Sequence, residues 1–372
     1  MPSYLSSSKC LKTDLENLSL DKNVKYKMFS ADARAMYTNM DTTHALKYIS
    51  WFLRTSPMCK NMQVEAVISA LEIVMQNNIF KFGDTYWRQI SGTAMGTSPG
   101  CDYATIYFGI YEMTTILWNF ITCLAYYKRY IDDVIGIWIC DPNPVTDHLN
   151  WKAFKACLSN YGMLVWDITP RGNHLTFLDL EIKLENYKFS TKLYYKPRNL
   201  YLYLPPHSCH PPGVIKGMVY GQIKRIYDLT TKKEDIMFSI LHFYDALKDR
   251  GHTPDSIRPL ILDACEKYSS KKTTTVTQHI DEKRTYLHLR FNSHDPSRDV
   301  IQTFFRNNVL LPPKETPLYE MRNRVGYKIG TNRLIVCYHR HWNLRNYLFP
   351  RTLYQSPNGK VSDIIAKYNN AA

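Results

Sequence analysis

Two adjacent carboxylates interrupt the most apolar, β-prone stretch of the chain. Tyr126-Tyr127-Lys128-Arg129 precedes Tyr130-Ile131-Asp132-Asp133, and Val134-Ile135-Gly136-Ile137-Trp138 follows. Runs of this composition read as two strands of a hairpin, with the acids at its tip. An unpaired carboxylate is too costly to bury, so the pair has no use in a core. Carboxylates held at a tip by two hydrophobic strands can instead grip divalent cations. Sites that transfer phosphoryl or nucleotidyl groups hold two such ions roughly 3.5–4 Å apart. Acidic turns also arise from plain turn chemistry, so the pair needs further residues to carry meaning.

Bulk properties narrow the field. A chain of 372 residues has room for two or three domains. Lys and Arg total 47 against 33 acids, a formal charge of +14, which favours a polyanionic partner, nucleic acid before anionic membrane. The 28 tyrosines suit base stacking beside such charge. Nine scattered cysteines contain no CxxC pair, so neither a disulfide framework nor a four-cysteine zinc site is indicated and a reducing compartment fits. The clusters His207-Ser208-Cys209-His210 and Cys337-Tyr338-His339-Arg340-His341 lack zinc-finger spacing. Met1-Pro2-Ser3-Tyr4-Leu5 has no signal-peptide character. Ala104 to Ala125 is long and apolar, yet it contains Glu112 and Asn119, so it reads as a buried helix, not a membrane span. The expectation is a soluble protein of nucleus or cytoplasm with no membrane partner.

Along the chain, residues 1–27 are polar with a weak helical pattern at Leu15, Leu18 and Leu20. A strand is expected from Val24 to Asp32, a helix capped at Asp41-Thr42-Thr43, a second helix over Met62–Gln76, and a hairpin around Gly83-Asp84. After the acidic hairpin come a helix from Trp151 to Tyr161 and a strand at Leu164–Ile168. Two more strands follow at His174–Leu184 and Tyr187–Tyr195. Lys233–Arg250 and Pro254–Lys267 read as helices, with Gly251 a stop signal between them. Ser269 to Thr275 is a polar linker, and a small mixed module follows.

Three features arrive in a telling order: Asp32 at a strand end, the small-residue loop from Gln89 through Gly92, Met95 and Gly96 to Gly100, and the acidic hairpin. Template-dependent polymerases with a palm domain need metal-holding acids on the first palm strand and on the hairpin. Between these they need a loop that lets nucleotide and template approach the backbone. Five residues after Asp32 stands Tyr37, whose ring would collide with a ribose 2′-hydroxyl and select deoxynucleotides.

With these residues the chain resembles the reverse transcriptases of Penelope-like retroelements, relatives of telomerase reverse transcriptase. The resemblance is carried by Asp32 with Met36-Tyr37-Thr38-Asn39, by Gln89 with Gly92-Thr93-Ala94-Met95-Gly96-Thr97, and by Arg129-Tyr130-Ile131-Asp132-Asp133 with Trp138. It continues in Phe177-Leu178-Asp179-Leu180-Glu181-Ile182, Leu193-Tyr194-Tyr195-Lys196-Pro197, Ser208-Cys209-His210-Pro211, Gly221-Gln222 with Arg225, and Arg250-Gly251. The match runs from about residue 28 to about 265 and more faintly to Trp342-Asn343-Leu344.

The resemblance implies an α+β right-hand polymerase fold: a palm of antiparallel sheet and helices, truncated fingers, and a helical thumb. Residues 1–27 would be a polar segment in place of full fingers, 28–225 fingers and palm, 226–268 thumb-like helices, and 269–372 a thumb extension or small module. Asp32 and Asp132 would hold two Mg²⁺ ions, Mn²⁺ being an alternative, with Asp133 contributing less directly. Tyr37 would gate the sugar, and Gln89, Met95 and Gly96 would contact nucleotide and template. Leu193, Tyr194, Tyr195, Lys196 and Pro197 would form the primer grip, while Asp179 would make a structural hydrogen bond. The reaction would be attack of a primer 3′-hydroxyl on the α-phosphate of a deoxynucleotide, directed by an RNA template, with any endonuclease supplied in trans.

The chain departs from the family before Asp32, where a recognisable fingers motif is lacking, and after Gly96, where Gly100-Cys101 stands in an unusual place. The alternative reading is therefore a nucleic-acid-binding remnant with impaired catalysis. A palm-type RNA polymerase is disfavoured by Tyr37 and by Tyr130-Ile131 before the acid pair.

Overall fold

Strand β1 (Lys25–Ala33) begins with exposed and half-buried Lys and Tyr and continues into the buried Met28 and Phe29, so its second half is a core strand. The computed structural model describes residues 1–211, 213–269, 284–290, 296–305 and 333–339. These fall into two units, residues 1–203 with 221–249, and residues 204–220 with 250–372.

The first unit opens with α1 (Ser8–Asn17), whose N-cap Ser7 accepts from the Cys10 amide and whose Leu11 and Leu15 are buried. The helix stops before Leu18. Residues 3–5 lie beside the acidic hairpin's first strand, with Leu5 N–H donating to Arg129 O at 2.9 Å and Arg129 N–H to Ser3 O at 2.6 Å. After β1 come the single turn α2 (Met36–Asn39) and then α3 (Thr42–Thr55), capped by Asp41 as its sequence required. Next are α4 (Val64–Gln76) and the ribbon β2 (Ile79–Phe82) and β3 (Thr85–Arg88). The apolar helix α5 (Gly100–Tyr111) runs through one π-helical turn, Glu112–Ile116, into α6 (Leu117–Asn119).

Strands β4 (Leu124–Tyr130) and β5 (Asp133–Cys140) form the acidic hairpin. Together with β1 and β6 (Trp166–Ile168) they make an antiparallel sheet of order β4-β5-β1-β6. Phe29 stands opposite Gly136, and a Cβ on Gly136 would lie 2.2 Å from the Phe29 ring, so the core needs glycine there. Helix α7 (Pro144–Leu158) starts two turns earlier than the apolar spacing predicts. Asn143 caps it through the Val145 amide, and Pro144 occupies the first helical position. Phe29, Trp138, Trp151 and Phe154 meet as an aromatic cluster with ring centroids 5.0–5.4 Å apart.

The expected strand His174–Leu184 is in fact two, β7 (His174–Phe177) and β8 (Leu180–Glu185), because Leu178 takes a left-handed φ of 52° and turns the chain at Asp179. With β9 (Lys188–Leu193) they form a second antiparallel sheet. Helix α8 (Val214–Leu229) is absent from the sequence reading, since Gly217 and Gly221 lower helix propensity. Its buried Val219, Ile223 and Ile226 are spaced for one helical face. Helix α9 (Lys233–Asp249) ends before Gly251, which has the positive φ expected of a stop.

The second unit contains the first half of α8, helix α10 (Pro254–Ser269), the parallel pair β10 (Arg284–Arg290) and β11 (Arg333–His339), and α11 (Arg298–Phe305). Most of the polar linker, His341 of the second His/Cys cluster, and Trp342-Asn343-Leu344 lie outside the described residues. Among the described residues, no helix is long and apolar enough to cross a membrane.

Candidate active site

The sheet brings the acids together. Asp32, one residue short of the end of β1, is the direct cross-strand partner of Asp133 on β5 and of Asp167 on β6. Directly opposed residues of antiparallel strands share a face, so Asp133, Asp32 and Asp167 form a row across the sheet. Asp132 sits in the turn beside them, its carbonyl accepting from the Ala33 amide at 3.0 Å. Asp167 is engaged by Arg34, whose Nε and Nη2 donate at 2.7 and 2.5 Å.

Charge in this row is concentrated. Partial desolvation and then the charges of Asp132 and Asp167 raise the Asp32 carboxyl above its usual range. Burial, followed by Asp132 and Asp32, pushes Asp133 up to about 6, while Lys196 pulls the other way. Oxygen-donor side chains gathered in this way are chemically suited to a hard divalent cation. Among the described residues, no three His, Cys, Asp or Glu side chains close around one point as a finished cage.

Tyr37 is the second residue of α2, just after β1, and is held half-buried. Its hydroxyl donates to Cys101 Sγ at 3.2 Å, and burial, that bond and the charge of Asp132 raise its pKa. The small-residue loop is pressed onto the same backbone: Thr93 N–H donates to Tyr37 O at 2.6 Å. Gly92 makes that approach feasible. Its φ is +77°, and a Cβ there would lie 2.8 Å from the carbonyl oxygens of both Tyr37 and Thr38. Gly96, the glycine singled out by the resemblance, also has a positive φ but open space around it. Met95 is exposed and Gln89 half-buried, with the Gln89 side-chain amide donating to Ser91 O.

In the segment Leu193–Pro197, Leu193 is buried at the end of β9 and so supports the segment from within. Tyr194 is half-buried and its amide donates to Asp179 O at 2.9 Å, while the Tyr195 ring packs at a tilt against His242 and edge-on against Tyr201. Lys196 and Pro197 are exposed. Asp179 has a structural role, since its carboxylate accepts from Ser8 Oγ and from Arg225 Nη2.

Two residues that sequence reasoning did not assign stand directly behind the acids. Arg129 and Glu112 form an ion pair with side chains 1 % and 0 % exposed. The available signal was an acid inside the apolar α5 stretch and a base inside an apolar strand, each needing a partner.

A family model described as an animal helix-turn-helix domain matches residues 202–261, the stretch containing α8, α9 and the first half of α10. No curated protein matches the chain. Among solved structures, the chain is similar to the telomerase of Candida albicans in complex with a fragment of telomeric RNA. That match has 10% identity, covers 71% of this chain and 48% of that one, and has a TM-score of 0.48. The truncated apo telomerase of Candida tropicalis matches at 16% identity over 50% of this chain and 40% of that one, with a TM-score of 0.35. The BmCPV RNA-dependent RNA polymerase at elongation state matches at 12% identity over 65% of this chain and 22% of that one, with a TM-score of 0.41. The chain thus spans less than half the length of each.

Proposed function

We propose that this chain is an RNA-directed DNA polymerase of retroelement origin, of the Penelope-like kind, that extends a DNA primer on an RNA template using deoxynucleoside triphosphates. The observation that carries this reading is the meeting of Asp32, Asp132 and Asp133 at abutting strand ends, with Tyr37 held against the small-residue loop just after β1. Asp32 and Asp132 would hold two Mg²⁺ ions, with Asp133 assisting. Bound there, the ions would lower the pKa of the attacking hydroxyl and stabilise charge on the leaving group.

The chain's own side chains do the rest. The Tyr37 ring, fixed from behind by its bond to Cys101, is a rigid wall against a 2′-hydroxyl. Lys196 brings a positive charge to the primer side of Asp133. Helix α8, with Lys216, Lys224 and Arg225 against the single acid Asp228, suits contact with a duplex backbone.

Primer extension on an RNA template tests the reading. Wild-type chain should incorporate deoxynucleotides, and Tyr37→Ala should weaken discrimination against ribonucleotides by about tenfold or more, a loss of about 1.4 kcal/mol. A wild-type chain that prefers ribonucleotides would sink the deoxynucleotide assignment. A second reading, a nucleic-acid-binding remnant, draws on the departures from the family pattern, among them Gly100-Cys101 after the small-residue loop. It predicts duplex binding with no incorporation by the wild type.

A further inference from the structure

We infer that the buried Arg129–Glu112 pair is a positioning brace that holds the acidic turn in its working conformation. This deepens the polymerase reading and rests on it for its catalytic consequence.

The guanidinium of Arg129 makes four hydrogen bonds, using all three of its nitrogens. Its Nε and Nη2 donate to the two oxygens of Glu112 at 2.8 and 2.9 Å, and Nη2 also donates to Thr105 O at 2.8 Å. Its Nη1 donates to Ile131 O at 2.6 Å. One side chain therefore ties three places together: the middle of α5, the π-helical turn that Glu112 opens, and the peptide immediately before Asp132. Beneath it the Phe108 ring lies 5.3 Å from the guanidinium carbon. Glu112 is equally committed, accepting from Tyr127 Oη at 2.9 Å and Ser3 Oγ at 2.5 Å as well.

Two facts argue that this network does more than fill the core. A buried ion pair is seldom a gain in stability over apolar side chains of the same volume, so its presence asks for another role. Ile131 supplies one. It has φ = 53°, a left-handed conformation that a β-branched residue adopts only where its surroundings impose it. The carbonyl of that strained residue is the group Arg129 takes. Released from Arg129, the peptide can rotate toward an ordinary conformation and carry Asp132 with it, away from its position beside Ala33 and Asp32. The brace acts through the turn and touches no reacting atom.

The test compares wild type with Arg129→Met/Glu112→Gln, which removes both charges together and so leaves no unpaired buried ion, and with Arg129→Lys, which keeps the charge but not the fork. Hydrogen exchange is read across β4, the turn and β5. The brace predicts that amides at 131–133 exchange at least tenfold faster while Val134–Trp138 stay protected. In primer extension it predicts a kcat lower by about 30-fold or more, with the deoxynucleotide KM within threefold. If the double variant does not fold, Arg129→Lys decides by the same two readouts. Exchange that is unchanged at the turn, or that rises uniformly over both strands, would overturn the brace, as would a loosened turn with unaltered kcat. Should wild type incorporate no nucleotide while exchange loosens at the turn, the brace stands and the polymerase reading falls.

Discussion

Among the described residues, β2–β3 and β4–β5 are antiparallel hairpins that each carry an aspartate in the turn, as β7–β8 also does, and these first two have opposite fates. In β2–β3 all eight strand residues are exposed, Trp87 and Phe80 included, and the turn is made by Gly83 at φ = +59° next to Asp84. In β4–β5 the stretch Val134–Trp138 is buried, the turn residue with positive φ is an isoleucine, and β1 pairs along its full length. A glycine lets the first turn form unaided. The second is imposed by its surroundings: by β1, by the ion pair behind it, and by residues 3–5 alongside. Local composition of the two hairpins is similar. What differs is what covers them, and only the covered one gathers further carboxylates.

The largest difference should appear when matched tryptophans are removed. Trp138→Ala empties a site enclosed by Trp151 and Phe154 and frees Asp147 from an indole bond of 2.9 Å, so it should cost about 3–5 kcal/mol. Trp87→Ala on the exposed ribbon should stay within about 0.5 kcal/mol. Denaturant midpoints that move equally would break the comparison. Next come the two turn aspartates. Asp132→Ala should lower nucleotide incorporation about a thousandfold or more, because ion-derived charge stabilisation is worth several kcal/mol, while Asp84→Ala should leave it within twofold. An Asp132→Ala chain that extends primers normally would remove the acidic turn from the chemistry.

Glycines sharpen the contrast at smaller scale. Gly92→Ala forces a methyl group to within 2.8 Å of two carbonyl oxygens and should cost about 2–4 kcal/mol, with a drop in incorporation as Tyr37 shifts. Gly83→Ala meets open space and carries only the φ penalty of about 1–2 kcal/mol. Equal melting temperatures for the two variants would contradict the close approach.

The smallest effect is in pH. The folded pKa of Asp133, about 6, lies above its ordinary value, so folding favours its protonated form. That contribution is fully present below ~4 and is lost as pH rises through about 6; Asp32 acts in the same direction. In metal-free buffer the melting temperature of wild type should therefore fall, relative to Asp133→Asn, between about pH 4 and 6.5, and Mg²⁺ at pH 7.5 should restore part of the loss. Parallel pH profiles for the two chains would refute the charge concentration.

Much of this candidate site was legible in the sequence. Asp32, Tyr37 and Asp132-Asp133 were readable because strand alternation, a helix cap and an interrupted apolar run are local signals. Gly92 was visible as one small residue among several, but its close approach to Tyr37 and Thr38 spans 55 and 54 positions of sequence and has no local trace. The split of β7 from β8 was hidden because Leu178, an apolar residue, takes the turn conformation that sequence assigns to glycine. Helix α8 was hidden because its glycines argued against a helix that its buried face supports.

The amino-acid sequence by itself determined that two β-prone runs would present a pair of carboxylates, and that an acid and an aromatic residue would stand five positions apart upstream. Tertiary structure alone decided that β4–β5 would be covered and β2–β3 left exposed, that Asp32 would stand opposite Asp133, and that Arg129 would find Glu112. The physical reason is range. Propensity and periodicity act within a few residues, whereas strand register and the pairing of buried charges are settled by which distant surfaces exclude water together.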